Sequence, residues 1–196
     1  LGEDGTTVVE VTVAMAILGI VLAVFLGIQV VVQDNIVIQQ RRSTNNDQAR
    51  QALFSLDREI RSGNLVYDPA MESVPYYGLV VYTQANATTR TPPNQCVEWR
   101  IDTTKKLVQR RWDPTNPAGA SLFTPVAENI VNREGNVPAF TLTSAATSTG
   151  TSTVVDIVLL ANARGTSGAT ETVRIASSVT ARNAAPGTSC SLRPTG

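Results

Sequence analysis

The chain has 196 residues, and its sixteen basic and sixteen acidic residues cancel to a formal net charge of zero. That length suits one ordinary domain plus an anchoring segment, and the charge balance supplies no overall field towards nucleic acid or an anionic surface, so any such contact must be local. No histidine is present, which removes the commonest general base near neutral pH and the commonest metal ligand.

From Val11 to Ile28 the run VTVAMAILGIVLAVFLGI carries no charge, and with Val30, Val31 and Val32 it exceeds the roughly 20 apolar residues that cross a bilayer. A cleavable secretory signal is the main rival. Its apolar core is shorter, about 7 to 15 residues, and ends in a small-residue cleavage site, which does not follow this run. Beyond Gln33 the chain turns polar with no Pro or Gly until Gly63, so the helix is expected to continue for several turns. Ala49, Leu53, Leu56 and Ile60 form one apolar stripe there, while Arg50, Asp57, Arg58 and Arg61 stay solvated. Gly63 supplies a helix stop, and the stripe is expected to pack against a sheet.

After Gly63, clusters of Pro, Asn, Thr and Ser separate short runs rich in Val, Ile, Thr and aromatic residues, the pattern of strands and turns. Strands are predicted at Tyr77 to Thr83, Cys96 to Ile101, Leu107 to Trp112, Ala139 to Thr143, Val154 to Ala161 and Thr172 to Ala181. Alternation is clearest in Val97, Trp99 and Ile101, with Glu98, Arg100 and Asp102 facing the other way. Ser144 to Thr153 is expected to be a flexible hairpin tip, and the tail from Ala184 to Gly196 to be loose except at Cys190. The fold class is thus α+β: a long N-terminal helix, apolar then amphipathic, on a mainly antiparallel sheet. Two isolated cysteines, Cys96 and Cys190, cannot close a zinc site. A disulfide between them is the simpler reading if this outer part is exported, two unrelated buried thiols being the alternative.

The string GTTVVEVTVAMAILGIVLAV places Gly5, Thr6 and Glu10 immediately before the apolar run. This pattern resembles the prepilin processing site of type IV pilins and type II secretion pseudopilins. The resemblance implies cleavage between Gly5 and Thr6 by a prepilin peptidase, N-methylation of Thr6, and Glu10 as the assembly glutamate. Physical chemistry supports such roles independently of the name. Gly5, lacking a side chain, lets an extended backbone enter a narrow protease cleft. An ionised Glu10 in a spanning helix costs roughly 2.5 to 3.5 kcal/mol on insertion scales, a cost that the new amine of a neighbouring subunit would offset. The segment LFSLDREIRSG and the hairpin CVEWRIDTTKKLVQRRW are similar to minor pilins and minor pseudopilins. The chain departs from the family pattern in having Thr6 where phenylalanine is usual, acidic Glu3 and Asp4 before Gly5, and no proline in the apolar helix. It opens without an initiator methionine, so further leader residues are expected upstream.

The expected organisation is a leader remnant at 1–5, an assembly helix at 6–32, its amphipathic continuation at 33–63 and a β-rich outer domain at 64–196. The implied role is structural, a minor pilin held in the cytoplasmic membrane by a single span, with the β domain outside, before assembly into a filament. Its partners would be other pilin or pseudopilin subunits and the prepilin peptidase. A minor pseudopilin of type II secretion is the alternative within the same class. A second class is a tip subunit that captures nucleic acid or adheres: Arg100, Lys105, Lys106, Arg110 and Arg111 gather on one predicted hairpin near Trp99 and Trp112. A solvated hairpin with core tryptophans is the favoured reading of those residues. No nucleophile and base arrangement, phosphate-cradling loop, calcium-loop spacing or metal-ligand cluster stands out, so neither an enzyme nor a cofactor is expected.

Overall fold

The computed structural model describes residues 7–84, 94–147, 150–162, 172–181, 190 and 193–194. A single helix, α1, runs from Val8 to Arg61. Its length follows from the absence of proline in this stretch and from Gly19 and Gly27, which sit within helical turns without ending them. The chain divides into two compact units, Leu1–Gln40 and Arg41–Gly196.

In the first unit the large apolar side chains from Val8 to Val37 are 43% to 83% exposed. This stretch is long and apolar enough to span a membrane.

In the second unit α1 is amphipathic and buries Ala49, Ala52, Leu56 and Ile60. Against it stands an antiparallel meander of β1 (Gly63–Val66), β2 (Gly78–Thr83), β3 (Gln95–Ile101), β4 (Leu107–Trp112) and β5 (Thr124–Ala127), paired in that order. A second antiparallel sheet holds β6 (Phe140–Thr147), β7 (Gly150–Asn162) and β8 (Thr172–Ala181). Both sheets feed one apolar core with the helix: Leu79, Val81, Val97, Trp99, Ile101 and Leu107 from the first, Phe140, Val155, Ile157, Leu159 and Val179 from the second.

Two strands, β1 and β5, were not anticipated, because four-residue segments with Pro125 or Gly63 inside them carry too little alternation to be recognised. Gly63 does not merely follow the helix, which ends at Arg61; it opens β1 and pairs with Thr83. A Cβ there would stand 2.8 Å from Val81 Cγ1 and 3.1 Å from the carbonyl oxygens of Glu59 and Ile60, so the chain can turn from helix into sheet only with a bare backbone at this point. The segment Ser144 to Thr153, expected as a loose tip, is mostly strand: β6 and β7 stay paired out to Thr147 and Gly150, with only 148 and 149 outside the described residues. Polar Ser and Thr residues satisfied the ladder there as well as apolar ones would, because its bonds are made by the backbone.

The β3–β4 hairpin sets the register of the molecule's polar chemistry. Asp102 Oδ1 accepts from the backbone N–H groups of Thr104 and Lys106, each at 2.8 Å, and Lys105 takes a φ of 63° in the turn. The resulting pairs are Glu98 with Arg110, Trp99 with Gln109, Cys96 with Trp112 and Val97 with Arg111. Alternation then sends Trp99, Gln109 and Arg111 towards the helix, and Glu98, Arg100 and Arg110 to the reverse face.

Candidate functional site

Gly5 and Thr6 lie outside the described residues. Glu10 is described, in the first turn of α1 and exposed to solvent. Its backbone N–H donates to Thr7 Oγ1 at 3.3 Å and to the Thr7 carbonyl at 3.0 Å. Thr7 is therefore the N-cap, and Thr7-Val8-Val9-Glu10 has the spacing of a capping box. That spacing is visible in the sequence, where Glu10 stands out instead as an intramembrane charge and as the glutamate of the prepilin-like pattern. Glu10 is also the sole ionisable side chain from Thr7 to Gln33, placed where the positive end of the helix dipole favours an anion.

The five cations of the β3–β4 hairpin do not form one patch. Lys105 Nζ lies 2.7 Å from Glu134 and Lys106 Nζ 3.1 Å from Glu128. Arg111 turns towards the helix and pairs with Glu59. Arg110, buried on the opposite face, pairs with Glu98 at 2.7 Å. Arg100 approaches the same Glu98 at 4.0 Å, and the guanidiniums of Arg100 and Arg110 stand 4.1 and 4.4 Å from the Phe123 ring centre. The tryptophans are core residues, Trp99 at 1% exposure and Trp112 at 2%.

The residue that sequence reasoning passed over is Glu59, fully buried in the apolar stripe of α1. It accepts from Trp99 Nε1 at 2.7 Å and from Gln109 Nε2 at 3.2 Å, besides pairing with Arg111. The signal existed: a position three after Leu56 and beside Ile60 faces the core whatever its polarity.

Cys96 and Cys190 are joined by a disulfide with their Cα atoms 5.9 Å apart. The bridge sits in a second, smaller apolar cluster with Val80 and Trp112 on the reverse face of the first sheet. It brings Cys190 onto that face, where its backbone N–H donates to Tyr67 Oη at 2.6 Å; apart from Cys190, Arg193 and Pro194, the tail expected to be loose lies outside the described residues. Beyond Cys190, Arg193 forks onto Glu72 with contacts of 2.8 and 2.9 Å. Burial pushes the Glu72 carboxyl above its ordinary value, the hydrogen bond and charge of Arg193 only partly offsetting it.

Among the described residues no group of three or more Cys, Asp or Glu side chains is arranged to hold a metal ion. No protein-family model, curated protein or solved structure matches the chain.

Proposed function

We propose that the chain is a subunit of a type IV pilus-like filament, a minor pilin, processed by a prepilin peptidase and inserted through its N-terminal helix. The observation that carries this reading is Glu10: a lone carboxylate in the first turn of an unbroken helix whose apolar side chains are exposed from Val8 to Val37. A carboxylate in that setting is a liability in lipid and an asset beside another subunit's amine. Bundled copies of the apolar stretch would form the filament core, with the disulfide-bonded α+β unit as the outer part. Cytoplasmic-membrane insertion through a single span would precede assembly, and the chain itself would carry no catalysis.

Of the alternatives, a type II secretion pseudopilin makes the same use of Glu10. Nucleic-acid capture at a tip is less well supported, because Lys105, Lys106, Arg110 and Arg111 each face a carboxylate, leaving few cations to neutralise successive phosphates. The test is mass spectrometry of the N-terminus after co-expression with a prepilin peptidase. The expected mature chain begins at Thr6; subunits recovered from filaments with Glu3 and Asp4 still attached would overturn the reading.

A further inference from the structure

The reverse face of the β3–β4 hairpin holds a cleft of about 360 Å³, lined by Met71, Glu72, Ser73, Glu98, Arg100, Arg110, Arg193 and Pro194. We propose that it is a binding site for a hydroxyl-bearing carboxylate, a sugar acid such as a terminal uronate, with Arg100 as the group that takes the ligand's carboxylate. The proposal concerns the outer unit alone and is independent of filament assembly.

Charge decides the ligand class. Among the described lining residues three guanidiniums stand with two carboxylates, an excess of one positive charge. Glu98 is committed to Arg110 at 2.7 Å and Glu72 to Arg193 at 2.8 Å. Among the described residues Arg100 has only a 4.0 Å approach to the already engaged Glu98, beyond the reach of a hydrogen bond. Its guanidinium is nevertheless positioned, 4.1 Å from the Phe123 ring centre, and an aromatic face fixes a guanidinium without using its N–H donors. A planar fork with free donors matches a carboxylate bidentately. A single negative charge balances the cleft, whereas a run of phosphates would set further charges against Glu72 and Glu98, which are only 8% and 4% exposed.

The remaining walls suit a sugar ring. A volume of about 360 Å³ lies at the small end of the range for ligand pockets. Glu72, Glu98, the Ser73 hydroxyl and the Pro194 carbonyl offer acceptors for hydroxyl donors, and Met71, 86% exposed, gives one apolar lip. Arg193 and Pro194, close in sequence to the disulfide-bonded Cys190, complete the cleft: Arg193 reaches Glu72, and Arg110 donates to the Pro194 carbonyl at 3.4 Å.

The experiment is calorimetric titration of the full chain in neutral detergent with three probes: a glucuronate-terminated disaccharide, its glucose-terminated counterpart and an acetylated tripeptide with a free C-terminal carboxylate. The glucuronate probe is expected to bind at least about tenfold more tightly than the glucose probe, the scale of one charge-assisted hydrogen-bonded pair, and more tightly than the peptide. Arg100→Gln should abolish that preference and Arg100→Lys, keeping the charge but not the fork, should retain part of it. Lys106→Gln, outside the cleft, should leave it unchanged. Equal binding of the two sugars, a preference that survives Arg100→Gln in a variant melting like wild type, or tighter binding of the peptide would each overturn the proposal.

Discussion

Trp99 Nε1 donates to Glu59 Oε2 at 2.7 Å, a buried bond across 40 residues that ties the amphipathic half of α1 to the centre of the first sheet. Gln109 and Arg111, on the neighbouring strand, complete the carboxylate's shell. A buried charge so enclosed fixes how the helix sits on the sheet, since no sliding of α1 by a turn would keep all three donors on one acceptor pair. Replacing Arg111 with Met is expected to destabilise the outer unit by about 3 to 5 kcal/mol, the usual cost of stranding one member of a buried pair. Adding Glu59→Gln should recover much of that loss. Urea unfolding of the single and double variants measures both, and additive losses would show that the two side chains do not act together.

The disulfide makes a separate prediction, because it closes a loop whose ends are 94 positions apart. Reduction is expected to lower stability by roughly 4 to 5 kcal/mol on the chain-entropy argument. It should also release Arg193 from Glu72, so that Arg193→Ala costs measurably less in the reduced protein than in the oxidised one. Denaturant unfolding with and without reductant, on wild type and the Arg193 variant, reads both effects.

Two carboxylates give opposite pH signatures. Glu72 has a folded pKa raised by burial. Its protonated form therefore stabilises the folded chain, fully so below the unfolded value, and this contribution is lost as pH rises through the folded pKa. Glu72→Gln, permanently neutral, should gain stability relative to wild type across that rise. Asp113 is held below its ordinary value by hydrogen bonds from the Thr115 side chain and backbone N–H. Its contribution is present above the unfolded value and lost as pH falls through the folded one, so Asp113→Asn should be the weaker protein at neutral pH and converge on wild type in acid. Thermal midpoints between pH 3 and 8 check the two signs.

Much of this architecture could be read from residue order. The helix was legible because an uncharged run and a stripe at helical spacing share one chain without an intervening proline, and β4 and β8 because each is bounded by turn residues. What escaped depends on what covers a surface. Glu98 points away from Trp99 as alternation requires, yet it is buried, since Cys190, Arg193 and Pro194 lie on a face that a lone sheet would leave to water. The favoured reading of the hairpin, with its tryptophans in the core, holds, but the ion pairs of its cations were not legible: their partners Glu59, Glu128 and Glu134 are remote in sequence, and only tertiary structure brings them near.

Glu10 invites a sharper experiment than deletion alone, since it has two roles available. At the N3 spacing of a capping box its side chain could reach back to the Thr7 N–H of its own helix, beside the bond that its backbone N–H makes to Thr7 Oγ1 whatever the side chain; as a buried counter-charge it would serve a neighbour's Thr6 amine. Glu10→Ala removes both and Glu10→Gln removes only the second, because glutamine can still reach back to a cap. Both variants should insert and be cleaved, as the Gly5 and Thr6 junction is untouched and the substitution deletes a group costing roughly 2.5 to 3.5 kcal/mol in lipid. In the filament, a neighbour's amine buried without a counter-charge would cost roughly 3 to 5 kcal/mol, enough to reject a subunit. Both variants are therefore expected to be processed yet nearly absent from sheared filaments, measured as incorporation against wild type in the native host. Wild-type incorporation of processed Glu10→Gln with loss of Glu10→Ala would assign the residue to the cap, and full incorporation of both would remove it from assembly altogether.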